Sequence, residues 1–236
     1  MSPALLLASS HRTRKILEDL EAVRENLLAL SDDIWWSIDH NDPDALEAGV
    51  EFKRAYNAKA AAFDAVASEL SALVQQYTSV RLQEAEKTGG TDRVENERIV
   101  AELNRDQPHR LEEDFTYKRP HGFILDGQGT TGITTWQRVY ELVLQRLYDR
   151  DADRFRGLCA NPDFTTNRGN PTVTTEPARL RKALEVRPGL FVESNLSANG
   201  IRDILRRVLT AFAFPSDQLL IFLRQDRDAG RPDDAA

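Results

Sequence analysis

Ile16, Leu20, Val23, Leu27, Leu30 and Ile34 stand alternately four and three residues apart. This is the seam of a heptad repeat, narrower than the stripe of an ordinary surface helix, and a helix built on it needs a partner along its whole length. Asp39-His40-Asn41-Asp42-Pro43 then stops one helix and starts another. Asp42 is placed to cap, and Pro43 sits where a helix tolerates its missing N–H. Phe52, Tyr56, Lys59, Phe63, Val66, Leu70, Leu73, Tyr77 and Val80 repeat the four-three spacing, with Lys59 as the one polar interruption. The spacing predicts an antiparallel coiled-coil hairpin whose second helix runs from about Pro43 to Ala85 and outlasts the first. A lysine inside such a seam costs stability but penalises wrong pairings. Trp35 and Trp36 are expected to pack within it or in an assembly contact. Thr88-Gly89-Gly90-Thr91 breaks the second helix, and Asp92 with Glu95 starts a shorter third one carrying Val94, Ile99, Val100 and Leu103. These residues are expected to bury at the end of the bundle or in an oligomer contact, and the helical part is placed at residues 1–104.

From Asn104 to Arg119 the apolar rhythm fails, and residues 105–119 read as a polar linker. A second domain is expected over 120–225, with 226–236 as a disordered tail. Phe123-Ile124-Leu125 is a short strand, followed by a glycine-rich turn and a helix capped by Thr134, with Trp136, Val139, Tyr140, Val143, Leu144 and Leu147 on one face. Phe164-Thr165-Thr166 and Thr172-Val173-Thr174-Thr175 flank Asn167-Arg168-Gly169-Asn170 as a β-hairpin. A helix is expected near Pro177 to Leu184, then a strand at Leu190 to Glu193. Ser197 caps a further helix with Ile201, Leu205, Val208, Leu209 and Phe212 inward, and Leu219 to Leu223 closes as an apolar strand. The fold class is therefore α+β, a helical hairpin followed by a small mixed α/β domain.

With 41% hydrophobic and 29% charged residues in 236, the chain can bury a real core, which excludes global disorder. The apolar patch Ala4 to Ala8 lacks a preceding basic residue and is short for a signal peptide, and no later apolar run reaches spanning length. Cys159 is alone, so no intrachain disulfide forms and a Cys/His zinc site is not expected. A reducing cytoplasm is the expected compartment, without membrane or cofactor.

The net charge of -7 is uneven. Residues 1–113 hold 13 basic and 22 acidic side chains, whereas residues 114–227 hold 17 basic and 13 acidic ones. All but Lys118 and Lys182 of the latter basic set are arginine, whose planar fork suits phosphate and carboxylate. Arg168 at a hairpin tip, Arg179, Arg181 and Lys182 near a helix start, and Arg202 with Arg206 one turn apart would track phosphates if they converge. Arg207, four residues after Asp203, is expected to pair with it.

Gly127-Gln128-Gly129-Thr130-Thr131-Gly132 satisfies G-x-G-x-x-G between a strand and a helix. Bare amides there could hold a phosphate. Against this, the helix starts only near Thr135 and the domain is short for a dinucleotide fold. A hairpin turn using glycines for positive φ is the plainer reading. No lysine has a strand-borne carboxylate pair beside it for nuclease chemistry, Glu193 is isolated, and neither Cys159 nor Ser197 has a histidine placed by a motif. No catalytic or metal-binding residue is assigned.

The run Pro120-x-x-Phe123-x-Leu125-x-Gly127, then Thr135-Trp136, then Phe191-Val192-Glu193-Ser194-Asn195-Leu196-Ser197-Ala198-Asn199-Gly200-Ile201 resembles a domain at the C-terminus of uncharacterised bacterial proteins, often behind a coiled coil. The resemblance implies a prokaryotic origin and a setting among mobile-element, restriction or phage-defence genes, and it carries no activity. Asn195 and Asn199 are candidate ligand residues within it, the competing role being hydrogen bonding at the strand-to-helix turn. The expectation is a non-enzymatic subunit. Its hairpin assembles with itself or docks on a larger protein, and its arginine-rich domain contacts DNA, RNA or protein. The alternative is a nuclease-like enzyme or a nucleotide-binding protein using the Gly127–Gly132 turn.

Overall fold

The structure is a computed structural model that describes residues 3–82, 86–90, 92–166 and 169–225, with residues 3–9 described by backbone alone. It divides into two units, Met1–Ala85 and Glu86–Ala236. The first holds a long helix α1 (Pro3–Ser37) and a second, α2 (Pro43–Thr78), packed on each other. Asp42 caps α2 by accepting the N–H groups of Asp44 and Ala45, and Pro43 opens it, as the sequence predicts. The second helix ends sooner than the apolar spacing suggests. Ser79 turns left-handed at φ 59 and closes α2 after Thr78.

The antiparallel pair is joined by polar contacts. The Tyr56 hydroxyl donates to the Leu27 carbonyl at 2.8 Å, the Ser31 hydroxyl meets Asn57 Oδ1 at 3.2 Å, Lys53 Nζ donates to the Ser31 carbonyl, and Arg24 bridges Asp64 and Glu21. Leu17, Ala22 and Ala29 of α1 and Ala67 of α2 are buried beside them.

The second unit is built on antiparallel strands throughout, as two sheets. The larger has five strands in the order β1, β4, β3, β8, β2. These are β1 (Lys87–Thr88), β2 (Pro108–His109), β3 (Pro120–Leu125), β4 (Gln128–Thr131) and β8 (Leu219–Leu223). The smaller sheet runs β5 (Val173–Thr174), β7 (Leu190–Glu193), β6 (Ala183–Arg187). Helix α3 (Arg93–Leu103) lies on the larger sheet, while α4 (Trp136–Arg150), the short α5 (Ala152–Gly157) and α6 (Ala198–Ala211) complete the unit.

Strands β3 and β8 are apolar at nearly every position because both of their faces are covered. Phe123 and Leu125, with Leu219, Ile221 and Leu223, enter the main core beside α4 and α6. The alternating Ile124 and Phe222 point the other way and pack with Ile99 and Leu103 of α3. The third helix, expected at the end of the hairpin, thus belongs to the sheet unit. The reason is close approach: a Cβ on Gly129 would lie 2.7 Å from Ile99 Cγ2, and one on Gly122 would lie 2.7 Å from Leu103 Cδ2.

The expected linker is also part of this unit. Pro108–His109 pairs with β8, and Leu111 and Phe115 are fully buried. Phe115 lies 4.6 Å from Trp136 between ring centroids, and the Trp136 indole donates to the Lys118 carbonyl at 2.7 Å. Two isolated apolar residues carry no periodicity, so the segment reads as polar although it is anchored in the core. Where a helix is expected at 177–184, Pro177–Arg179 forms a single 3₁₀ turn and β6 begins at Ala183. The hairpin expected around Gly169 reduces to one bridge, Thr165 with Pro171, and Val173–Thr174 pairs with β7 instead. The tail at 226–236 lies outside the described residues.

Candidate functional site

The helical hairpin buries the wrong face for a closed two-helix structure. Of the expected seam, Leu20, Leu27 and Ile34 are half-buried against the partner helix, as are Tyr56 and Phe63. Ile16 (66% exposed), Val23, Leu30, Phe52, Val66 (62%), Leu70, Leu73 (62%) and Tyr77 (90%) remain open to solvent. Val23 and Leu30 immediately precede the inward-facing Arg24 and Ser31, and Phe52 immediately precedes the inward-facing Lys53. One residue back is a rotation of about 100° on a helix, and in an antiparallel pair equal rotations bring both stripes to the same face. The hairpin therefore presents one apolar face, with exposed Lys59 between Phe52 and Val66. Trp36, 77% exposed, lies off this face, and Trp35 rests at 5.2 Å from His40 between ring centroids.

The glycine turn is structural in every contact it makes. Asp126 and Gly127 both take positive φ, 51° and 71°, which is the backbone of a two-residue β-hairpin turn joining β3 to β4. Gly132 follows at φ 79. The Gly129 amide, which a phosphate would need, donates to Asn96 Oδ1 at 2.9 Å, and Asn96 Nδ2 donates to the Gly127 carbonyl at 2.9 Å. Asn96, on α3, thus clasps the turn with both ends of its amide. The sequence offers no signal for this, because its spacing assigns α3 to the other unit.

Two of the arginines singled out from the sequence, Arg181 and Arg202, have partners within the fold. Glu193, buried at the end of β7, accepts from the backbone N–H groups of Arg181 (2.9 Å), Lys182 (3.3 Å) and Asn195 (2.8 Å). The Arg181 guanidinium covers it at 3.4 Å and donates on to the Asn195 carbonyl. The carboxylate read as isolated is in fact the organiser of the turn from β7 into α6. Arg202 is only 18% exposed in its side chain and donates to the Glu113 carbonyl (2.8 Å), to Asn199 Oδ1 (3.1 Å) and to Asp203. Asp203 is thereby taken, and Arg207 turns instead to the Asp163 carbonyl at 2.8 Å, over the Phe164 ring.

Asn199 does not serve the strand-to-helix turn. Its Nδ2 donates to Asp114 (2.7 Å) and Thr116 (2.9 Å), and its Oδ1 accepts the Phe115 N–H at 2.9 Å, locking the 114–116 turn onto the start of α6. The Thr116 hydroxyl, Asn199 and the Thr116 amide together hold the Asp114 carboxyl down to about 2. Ser197 Oγ accepts the Gly200 N–H, as expected of a cap. Arg179 and Arg206 are exposed. Arg168 lies outside the described residues.

At the structural boundary the basic excess of the second part vanishes. Residues 86–236 hold 23 basic and 24 acidic side chains, so the apparent basic domain owes its sign to a cut that left α3 and the 105–113 segment on the other side. Among the described residues no three His, Cys, Asp or Glu side chains gather to hold a metal ion, and no helix is long and apolar enough to cross a membrane. Comparison with models of protein families, with curated proteins and with solved structures finds no match for this chain.

Proposed function

We propose that this chain is a non-enzymatic assembly subunit whose helical hairpin pairs face to face with the hairpin of a second copy. The observation that carries the reading is the apolar face formed by Ile16, Val23, Leu30, Phe52, Val66, Leu70, Leu73 and Tyr77. Their exposed surface amounts to roughly 800 Å², about what one partner contributes to a stable interface. The pattern supports a bundle as well. Each helix carries apolar or small residues on a stripe wider than a single seam, which is what a helix with two neighbours requires. A second hairpin supplies the same stripe by symmetry, and an isologous contact closes at two copies.

Contact with nucleic acid is the weaker part of the expectation. Arg181 and Arg202 are engaged within the fold, the second unit has no excess of positive charge, and this favours assembly as the primary role. A setting in bacterial defence rests on the resemblance alone.

Sedimentation velocity on the full chain and on a Val66→Glu/Leu73→Glu variant tests the reading. The wild type should sediment as a dimer and the variant as a monomer with unchanged helical circular dichroism. A variant that remains dimeric would place the interface elsewhere. Retention of duplex DNA at low salt by an otherwise monomeric wild type would move the role to nucleic acid.

A further inference from the structure

A cleft of about 350 Å³ opens beside the β3–β4 turn, lined by Leu125, Asp126, Gln128, Arg146, Leu147, Asp149, Arg150 and Phe214. Its volume falls in the range of small-molecule sites. Within it the charges are unequally matched. Arg150 is paired with Asp126 and lies over the Phe214 ring at 5.0 Å, and Asp149 is paired with Arg187. Arg146 has no carboxylate among the described residues. Its guanidinium lies 4.7 Å over the Phe123 ring and donates to the Gln128 carbonyl (2.9 Å), to Thr88 Oγ1 (2.9 Å) and to Thr130 Oγ1. All three acceptors are neutral, and a guanidinium has further N–H donors to offer.

A cation withdrawn from water without a counter-ion is unfavourable, and proteins commonly pair or neutralise such a charge. Burial alone lowers Arg146 to about 10, with no acidic neighbour opposing it. The ring beneath it and the fixed carbonyl and hydroxyl acceptors hold the fork in one place, which is the preorganisation a planar anion needs. Leu125, Leu147 and Phe214 reach the cleft only by their edges, being buried in the core, and the carboxylates of Asp126 and Asp149 are each held by an arginine, which leaves Arg146 as the cleft's unbalanced charge.

We propose that this cleft binds a small monocarboxylate, its carboxylate on Arg146. The binding involves no covalent step. It is independent of how the hairpin assembles.

The test is a titration of the full chain with phenylacetate, followed by calorimetry and by the Nε–H resonance of Arg146. Phenylacetate should bind and shift that resonance, whereas neutral phenylacetamide should bind at least about tenfold more weakly, the usual scale for losing one charged contact. Arg146→Gln should abolish binding. Because that change also removes a staple of the β-hairpin, Gln128→Trp is the second variant. It occludes the mouth and leaves Arg146 in place, and it should abolish binding too. Equal binding of acid and amide, binding that survives both variants, tighter binding of inorganic phosphate at the same resonance, or no binding at about 10 mM, the edge of measurable affinity, would each overturn the proposal.

Discussion

Asn199 shows how a residue can be rightly singled out for the wrong reason. Its sequence setting suggests a ligand contact or a local turn, whereas its amide joins α6 to the 114–116 turn, more than eighty residues earlier in the chain. Asn199→Ala leaves the Phe115 amide without its acceptor, which should cost about 1–3 kcal/mol in a denaturant titration. The same change should raise the pKa of Asp114 from about 2 toward the ordinary 3.8, read from its side-chain carbonyl shift in an NMR titration. A carboxyl depressed on folding stabilises the protein above its unfolded pKa. The contribution of Asp114 is therefore complete above about pH 4 and lost as pH falls through about 2. Tyr140 makes the opposite case. It is fully buried, and its hydroxyl has no hydrogen-bond partner among the described residues; burial, with Glu193 nearby, raises its pKa. Tyr140→Phe should leave stability unchanged or raise it by up to about 1–2 kcal/mol, since an unmet polar group is removed from the core. A loss in thermal melting would contradict that account.

Among elements, those with strong periodicity were legible and those held by single anchors were not. The apolar face of α4 and the inward residues of α6 stand in the sequence as they stand in the core. The hairpin was legible as two helices, but the choice of which columns meet depends on small and polar residues such as Ala67, Ser31 and Lys53, which carry no heptad signal. Helix α3 was assigned to the wrong unit because its apolar residues match any surface. What decides its place is the absence of side chains opposite, at Gly122 and Gly129. Gly129→Ala should accordingly destabilise the sheet unit by about 1–3 kcal/mol through overpacking against Ile99. In a double-mutant cycle with Ile99→Ala, the pair should lose less than the sum of the two single changes. Full additivity would show that the glycine serves only backbone freedom. Of the G-x-G-x-x-G pattern, then, one glycine supplies the left-handed turn and another the helix approach, two demands that a phosphate loop imitates in sequence.

For the molecule as a whole, a change in charge and a change in architecture coincide only loosely. The sign change near Asp114 falls inside the second unit, and across the boundary between units near Ala85 the net charge keeps its sign. In the proposed assembly the apolar hairpin face forms the interface, and exposed Lys59 lies among its apolar residues. Lys59→Leu should tighten self-association, because a lysine drawn into an apolar contact is desolvated at a cost. The most direct measurement is the mass of the full chain by light scattering across a range of protein and salt concentrations. A mass of twice the monomer, insensitive to salt and falling to the monomer on dilution, is the predicted result. A chain that stays monomeric at the highest concentrations would contradict the assembly role and leave the apolar face without a partner of its own kind.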